Sequence, residues 1–324
     1  MRCPSVFRSC LAAAMLVPAL ALAQAFPSRT VTIVVPFPPG GGTDTGTRLI
    51  ANKLAQKWGQ AVVVENKGGA AGMLGADQVS KAKPDGYTLL MGNVGTQSIN
   101  PTLYGKRLPY NADTAFAPVT LVAELPLVML VGPSMTAKSW ADVVAKARAN
   151  PGRVSYSSSG SGGAPHLAGA LFESETKTEL LHVPYKGGGP AIADLIAGHV
   201  DLCFATILES SGQIKAGTLR ALAVTSDKRH PILPDTPTLA ESGLPGFNTG
   251  SWIGIVAPAG TPKDIIEQVA RDVSDVVRSP EISRALSAQG AIPAGGTPQA
   301  FAALIEADRK RYGALIRERN ITSD

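Results

Sequence analysis

The stretch that decides the fold is residues 31–54, which read VTIVVPFPPGGGTDTGTRLIANKL. Its first five residues, Val31 to Val35, are apolar and mostly β-branched, a pattern typical of a buried strand. Gly40 to Gly42 then form a loop whose backbone can approach a ligand without an intervening side chain. The stretch therefore predicts a strand that ends in a glycine loop.

A helix is predicted to follow this loop directly. Thr43 or Asp44 offers an N-cap, and apolar residues recur every four positions until Gly59 ends the helix. Strand, glycine loop and helix N-terminus together direct unpaired N–H groups and the positive end of a helix dipole at one point. The sequence therefore predicts an anion site here.

Residues 1–25 have the composition of a secretory signal peptide. Two arginines precede an apolar run at Leu11–Leu22, and small residues then allow cleavage after Ala23 or Ala25. A membrane anchor is the alternative, but this run is shorter than the roughly 20 apolar residues that a crossing helix needs. We therefore expect an exported, periplasmic protein.

The remaining chain has one cysteine, Cys203, which we expect to be a buried free thiol. The formal net charge falls from +5 to +3 after cleavage, because residues 1–25 contain two arginines and no Asp or Glu. The basic residues are scattered, so we expect no nucleic-acid partner. A length of roughly 300 residues indicates about two domains.

Strands, polar or glycine-rich loops and helices alternate along the chain, which predicts an α/β fold with a mainly parallel sheet. Two long extended stretches, Val119 to Val131 and Thr249 to Ala257, interrupt this alternation. They are predicted to connect two lobes. Lobe 1 would comprise residues 26–125 and 250–324, and lobe 2 residues 126–249.

The loops at the strand ends are rich in Ser and Thr, contain no arginine, and hold one carboxylate (Asp44), one lysine (Lys186) and one histidine (His166). They are residues 36–47, 92–98, 157–166 and 185–190. Such loops would hold an anion through backbone N–H groups, hydroxyls and water, in many modest hydrogen bonds. Reversible binding is the function that this composition favours.

Enzymatic motifs are absent from these loops. The glycine run matches neither the phosphate-binding P-loop nor the dinucleotide fingerprint, and Ser161 is not in a nucleophile elbow. The four histidines lack metal-ligand spacing, although His166 could face the cleft from a helix start. We therefore predict no enzymatic activity, no metal and no cofactor.

Three side chains near the loops have two interpretations each. Asp44 either stabilises the helix N-terminus or contacts a ligand ammonium or hydroxyl group. Phe37 and Tyr185 are either core residues or aromatic walls of the cleft. Phe37 is favoured as a wall because its proline-rich loop cannot join a sheet ladder.

Several motifs resemble the Bug family, the extracytoplasmic solute receptors of bacterial tripartite tricarboxylate transporters. They are VVPFPPGGGTD (34–44), VENK (64–67), KPDGYTLL (83–90), INPTLY (99–104), YSSSG (156–160), HLA (166–168), VPYKG (183–187) and LRALAV (219–224). The likeness covers essentially the whole mature chain.

The resemblance implies a type II periplasmic binding protein, with two Rossmann-like lobes joined by two crossing strands and a ligand cleft between them. It also implies a monomer that closes on a small carboxylate (a dicarboxylate, an amino acid or an aromatic acid) and presents it to a membrane permease. From the loops and the resemblance, the predicted ligand-binding residues are Phe37, Gly41, Gly42, Thr43, Asp44, Asn93, Thr96, Ser158, Ser159, Gly160, Gly163, Ala164, His166, Tyr185 and Gly187.

This chain also departs from the family pattern. Gly163 and Gly188 stand where hydroxyl residues are usual or frequent, and Ala205-Thr206 replaces a common Asp-Asn. These departures count against the usual ligands, particularly those with an amino group, and favour a bulkier or less polar acid. Two alternatives to a transport receptor are a periplasmic protein that signals ligand to a membrane sensor and, less favoured, a phosphate-handling enzyme.

Overall fold

The computed structural model describes residues 26–323, so the predicted signal peptide, residues 1–25, lies outside the described residues. Its strands are β1 (Val31–Val35), β2 (Val62–Asn66), β3 (Thr88–Asn93), β4 (Phe116–Val131), β5 (Ser155–Ser158), β6 (Leu181–Pro184), β7 (Leu202–Thr206), β8 (Arg220–Val224), β9 (Gly250–Pro258) and β10 (Ile292–Pro293). Its α-helices are α1 (Gly42–Trp58), α2 (Met73–Ser80), α3 (Asn100–Tyr104), α4 (Trp140–Ala149), α5 (Ala164–Thr176), α6 (Gly188–Ala197), α7 (Ile207–Lys215), α8 (Lys263–Arg278), α9 (Pro280–Ala288) and α10 (Pro298–Glu318).

The strands form one mixed sheet in the order β2-β1-β3-β9-β4-β7-β5-β6, with β8 and β10 also paired to β4. The outer pairs are parallel: β1 with β2 and β3, and β5 with β6 and β7. The central strands β4 and β9 run antiparallel to their neighbours. The predicted mainly parallel sheet is therefore correct for the outer strands and wrong at the centre.

Strand β4 connects the two halves of the sheet. Its first part pairs with β9 as far as Pro126, opposite Gly250. From Leu127 onward it pairs with β7 and, one residue later, with β8. The fold is thus an α/β periplasmic-binding-protein architecture with two lobes joined by β4 and β9. The exact lobe boundaries remain a prediction.

Strand β1 shows why the apolar run of the sequence forms a strand. Val31, Ile33 and Val35 are fully buried in one hydrophobic core, and Val34 is fully buried in a second core on the opposite face. A strand covered by helices on both faces needs such a continuous apolar run rather than an alternating one. Cys203, on β7, is a buried free thiol, as predicted.

The start of α1 differs from the prediction. Its N-cap is Gly41 instead of Thr43 or Asp44, and no side chain of the described residues caps it in the usual way. The Asp44 carboxylate instead accepts hydrogen bonds from the Gly40 N–H and from Arg48, so it braces the loop. The helix ends at Gly59, which has left-handed backbone angles (φ 62°), as predicted.

Within residues 26–323, no helix combines the length and apolarity that crossing a membrane requires.

Candidate functional site

A cleft lies where strands from both lobes end. Its lining comprises Phe37, Gly41, Gly42, Thr43, Asn93, Leu125, Ser159, Gly163, Ala164, Pro165, Gly188, Thr206, Glu209 and Ser251. Leu125 and Ser251 come from the crossing strands β4 and β9. Eight of the fifteen predicted site residues are therefore brought together in one cleft.

Three helices begin at this cleft with glycine N-caps. They are α1 after Gly41, α5 after Gly163 and α6 after Gly187, and these glycine N-caps have no side chain to accept the first N–H groups of their helices. The first N–H groups of an uncapped helix have no intrahelical partner, and the helix dipole makes that end positive. Because α1 and α5 lie on opposite sides of the cleft, backbone N–H groups line it from both sides.

The cleft has little positive charge of its own. Among its lining residues, all within the part of the chain that the structure describes, there is no Lys, Arg or His, and Glu209 is the one carboxylate. An anion would therefore be held by backbone N–H groups and hydroxyls, which suits reversible binding.

Glu209 was not predicted from the sequence, and it lies at the junction of the two lobes. Its Oε1 accepts a 2.8 Å hydrogen bond from the Thr206 N–H, and its Oε2 accepts a 2.9 Å hydrogen bond from the Gly42 N–H. Thr206 and Glu209 form a capping box at the start of α7. Burial raises the pKa of Glu209, and these backbone hydrogen bonds oppose the rise.

A sequence signal for Glu209 was available. Thr206-x-x-Glu209 is a capping-box pattern directly after an apolar run, so it marks a further strand that ends in a helix N-terminus. The strand end at Thr206 is a fifth one, outside the four loops from which the site was predicted.

Two glycines of the cleft leave room for neighbouring polar side chains. A Cβ at Gly188 would overlap the Glu209 carboxylate, and one at Gly163 would lie 2.9 Å from Ser159 Oγ. The absence of larger residues at 163 and 188 thus has a local steric reason. It is tied to the positions of Ser159 and Glu209.

Asp44 is placed outside the cleft lining. It is 3% exposed, and its carboxylate is shared among Arg48, Asn66 and the Gly40 N–H. Burial opposes ionisation of this group, but the hydrogen bonds outweigh it and hold the pKa of Asp44 below its usual value. Of its two interpretations, the arrangement supports the structural one.

The serine loop divides into a supporting and a lining residue. Ser158 is fully buried; its Oγ lies 2.7 Å from His182 Nε2 and accepts a hydrogen bond from the Gly160 N–H. Ser159 lines the cleft as well as an adjacent cavity, to which Gly160 and Tyr185 also contribute. Ser158 therefore shapes the loop, while Ser159 is available to a ligand.

Asn93 and Thr96 are likewise a pair in which one residue lines the cleft and the other supports it from a buried position. The Thr96 N–H donates to Asn93 Oδ1 at 2.9 Å, and the Asn93 N–H donates to Thr96 Oγ1 at 3.1 Å. Thr96 is fully buried, whereas Asn93 lines the cleft. This reciprocal pair holds the turn after β3.

Three further predicted residues lie beside the cleft lining. His166 is 4% exposed, accepts a hydrogen bond from the Gly162 N–H and stacks on His182 with ring centroids 4.3 Å apart. The Tyr185 hydroxyl donates to Asp194 at 2.6 Å, and burial together with this carboxylate raises the pKa of Tyr185 to about 12. Gly187 is the N-cap of α6, next to the lining residue Gly188.

The family model described as "tripartite tricarboxylate transporter family receptor" matches residues 47–321. The chain belongs to this family. It is a solute-binding receptor and not an enzyme. Among residues 26–323, no group of three or more His, Cys, Asp or Glu side chains is arranged to hold a metal ion.

Known proteins similar to this receptor support the Bug resemblance. Protein BugT of Bordetella pertussis is 36% identical over 300 residues, which is 91% of each chain. The structure of R. palustris Rpa4515 with adipate is 37% identical, with a TM-score of 0.90, covering 92% of this chain and all of that one. MatC from Rhodopseudomonas palustris with bound malate is 33% identical, with a TM-score of 0.86, covering 90% of this chain and all of that one.

Proposed function

We propose that this receptor captures a small carboxylate between its lobes in the periplasm and delivers it to the membrane subunits of a tripartite tricarboxylate transporter. The observation that carries the proposal is the pair of helix N-termini with glycine N-caps, α1 and α5, which face one cleft from opposite lobes. A carboxylate at the α5 end would accept N–H groups that have no partner within the helix. The adipate and malate bound to two relatives agree with this ligand class.

Each hydrogen bond to the ligand is expected to contribute a modest free energy of binding, and several together give a micromolar affinity. Hydrogen bonds to a charged group contribute about 1.5–3 kcal/mol each, so a few of them offset the cost of association and reach the micromolar range, about −8 kcal/mol. Without an arginine in the lining, the ligand can be released again when the lobes separate. A ligand that contacts both lobes would stabilise the closed arrangement.

A thermal-shift panel tests the ligand class. The purified mature chain should gain several degrees in Tm, in a saturable way, with at least one aliphatic, aromatic or amino-acid carboxylate. Phosphate esters of similar size serve as the comparison. Stabilisation by the phosphate esters alone would refute the carboxylate assignment, and native mass spectrometry of the protein as purified would identify any ligand retained from the cell.

The delivery step needs a separate experiment in cells. Deletion of the gene should abolish uptake of the identified carboxylate, and the Ser159→Ala protein should restore uptake only in part. Unchanged uptake in the deletion strain would instead favour the sensing role.

A further inference from the structure

We infer that Glu209 determines which carboxylates this receptor binds. Its carboxylate oxygens make the α1 end of the cleft a place where a hydrogen-bond donor of the ligand is accepted. The favoured ligand is then a monocarboxylate that carries a hydroxyl or ammonium group at its far end, rather than a dicarboxylate. This inference rests on the proposed function, because it narrows the ligand class at the same cleft.

The Glu209 carboxylate already binds the N-terminus of α1. Its Oε2 accepts the N–H of Gly42, the first residue of α1, at 2.9 Å. This N–H is one of those that a ligand carboxylate at the α1 end would need. A carboxylate of the protein itself therefore already occupies part of that anion site.

Glu209 also sets the charge balance at this end of the cleft. The N-termini of α1, α6 and α7 all lie against the Glu209 carboxylate, and each is equivalent to about half a positive elementary charge, whereas the ionised carboxylate carries a full negative one. No Lys, Arg or His of the described residues forms an ion pair with Glu209. When ionised, Glu209 therefore offsets most of the positive charge of these helix ends, and a ligand carboxylate placed directly beside its oxygens would be repelled.

The α5 end of the cleft, on the opposite lobe, differs from the α1 end. The start of α5 also faces the cleft, its N-cap Gly163 has no side-chain cap, and no carboxylate lies among the lining residues other than Glu209. The α5 end thus keeps its attraction for an anion. A ligand with unlike ends matches a cleft with one anion-attracting end and one end that offers carboxylate oxygens.

Gly188 shows that this position of Glu209 is built into the cleft. A Cβ at residue 188 would overlap the Glu209 carboxylate, so the glycine creates the space that the side chain occupies. The capping box with Thr206 holds the carboxylate from the other side. Glu209 is therefore anchored at its position rather than free on the surface.

The test compares ligands of equal length that differ only at the far end. Isothermal titration gives the Kd values of adipate, 6-hydroxyhexanoate and 6-aminohexanoate, and of succinate, 4-hydroxybutyrate and 4-aminobutyrate. The wild-type protein should bind a hydroxy or amino acid of one length at least tenfold more tightly than the matching dicarboxylate. In Glu209→Gln this ratio should fall at least tenfold.

Two features keep the outcome interpretable. Gln at the third position of a capping box keeps one oxygen for the Thr206 N–H and replaces the oxygen that accepts the Gly42 N–H by an NH2 group. Because the capping box is kept, Glu209→Gln is expected to fold, and circular dichroism checks this. The matched control is Asp142→Asn, which removes the carboxylate of the capping box of Ser139 on the exposed start of α4. The control should leave the ligand ratio unchanged.

The possible failures are distinguishable. If wild-type protein prefers the dicarboxylates, or Glu209→Gln leaves the ratio unchanged, the role of Glu209 is refuted while the carboxylate receptor stands. If neither protein binds any carboxylate of the thermal-shift panel, the proposed function fails, and this inference with it.

Discussion

The backbone N–H of Gly42 donates a 2.9 Å hydrogen bond to Oε2 of Glu209, and this bond joins the N-terminus of α1 to the N-terminus of α7 on the other lobe. Glu209 thus accepts hydrogen bonds at the start of two helices. Its Oε1 accepts the Thr206 N–H in the capping box of α7, and its Oε2 accepts the Gly42 N–H of α1. The cleft floor is consequently held by a charge-assisted contact between the lobes, a stronger kind of bond than a neutral one.

Substitution of Gly188 should break this contact. In Gly188→Ala the added methyl group overlaps the Glu209 carboxylate, which must rotate away from Gly42. We expect the free energy of unfolding, measured by urea denaturation, to fall by about 1–3 kcal/mol. Gly189→Ala is the control, because its Cβ would lie at an ordinary 3.5 Å from the Pro39 carbonyl oxygen. Equal losses in both variants would contradict the explanation.

A side chain at Gly41 should block the ligand without harming the fold. A Cβ there would make only ordinary contacts, 3.6 Å to Glu209 Oε2 and 3.8 Å to the Gly188 nitrogen, and its φ of −78° suits any residue. We expect Gly41→Val to weaken binding of the best carboxylate of the thermal-shift panel at least tenfold, with Tm within about 3 °C of wild type.

A glycine outside the cleft provides the comparison for Gly41→Val. Gly212 lies exposed within α7 with open space around its Cβ position. Gly212→Ala should therefore raise stability by about 0.5–1 kcal/mol and leave ligand affinity unchanged. Undiminished affinity in Gly41→Val would show that the glycine loop is not part of the clamp.

The two serines of the loop should respond in opposite ways. Ser158→Ala removes a buried hydroxyl that joins His182 to the Gly160 N–H, so we expect a loss of about 1–2 kcal/mol in stability. Ser159→Ala should leave stability within about 0.5 kcal/mol and weaken ligand binding about tenfold. Urea denaturation and titration calorimetry of both variants measure this, and a reversal of the two effects would contradict the assignment.

Asp44 should affect stability in a pH-dependent way and leave ligand binding unchanged. Its pKa is lower in the folded protein than in the unfolded chain, so its contribution is present above the unfolded pKa of about 3.9 and is lost as pH falls through the folded pKa. Asp44→Asn should cost about 1–2 kcal/mol at pH 7, and the difference from wild type should shrink below about pH 4.

Two measurements check this role of Asp44. Urea denaturation of wild type and Asp44→Asn between pH 3 and pH 7 follows the stability difference, and titration calorimetry at pH 7 follows the ligand. A tenfold loss of affinity in Asp44→Asn would favour the ligand-contact interpretation that the sequence analysis left open.

Local patterns predicted those parts of the molecule in which neighbouring residues decide the structure. The run Val31–Val35 is a strand buried on both faces, and α1 ends at Gly59 with left-handed backbone angles, both as predicted. The glycine loop and Ser159 were also predicted from strand-end composition, because parallel strands bring their carboxyl ends to one edge of a sheet.

The error at the start of α1 has a long-range cause. Asp44 was a plausible N-cap, but Asn66 on β2 and Arg48 one helical turn later engage its carboxylate, which leaves Gly41 as the N-cap. The partner on β2 is distant in sequence. No local pattern contains that contact.

The sequence by itself determined the α/β alternation, the charge-poor character of the strand-end loops and the family. Only the tertiary structure decided the charge of the cleft. The carboxylate that lines the cleft is Glu209, whereas the sequence had predicted Asp44. The physical reason is that a capping box is a local pattern, whereas the contact of its Glu209 with Gly42 spans 167 positions and forms only when the two lobes meet.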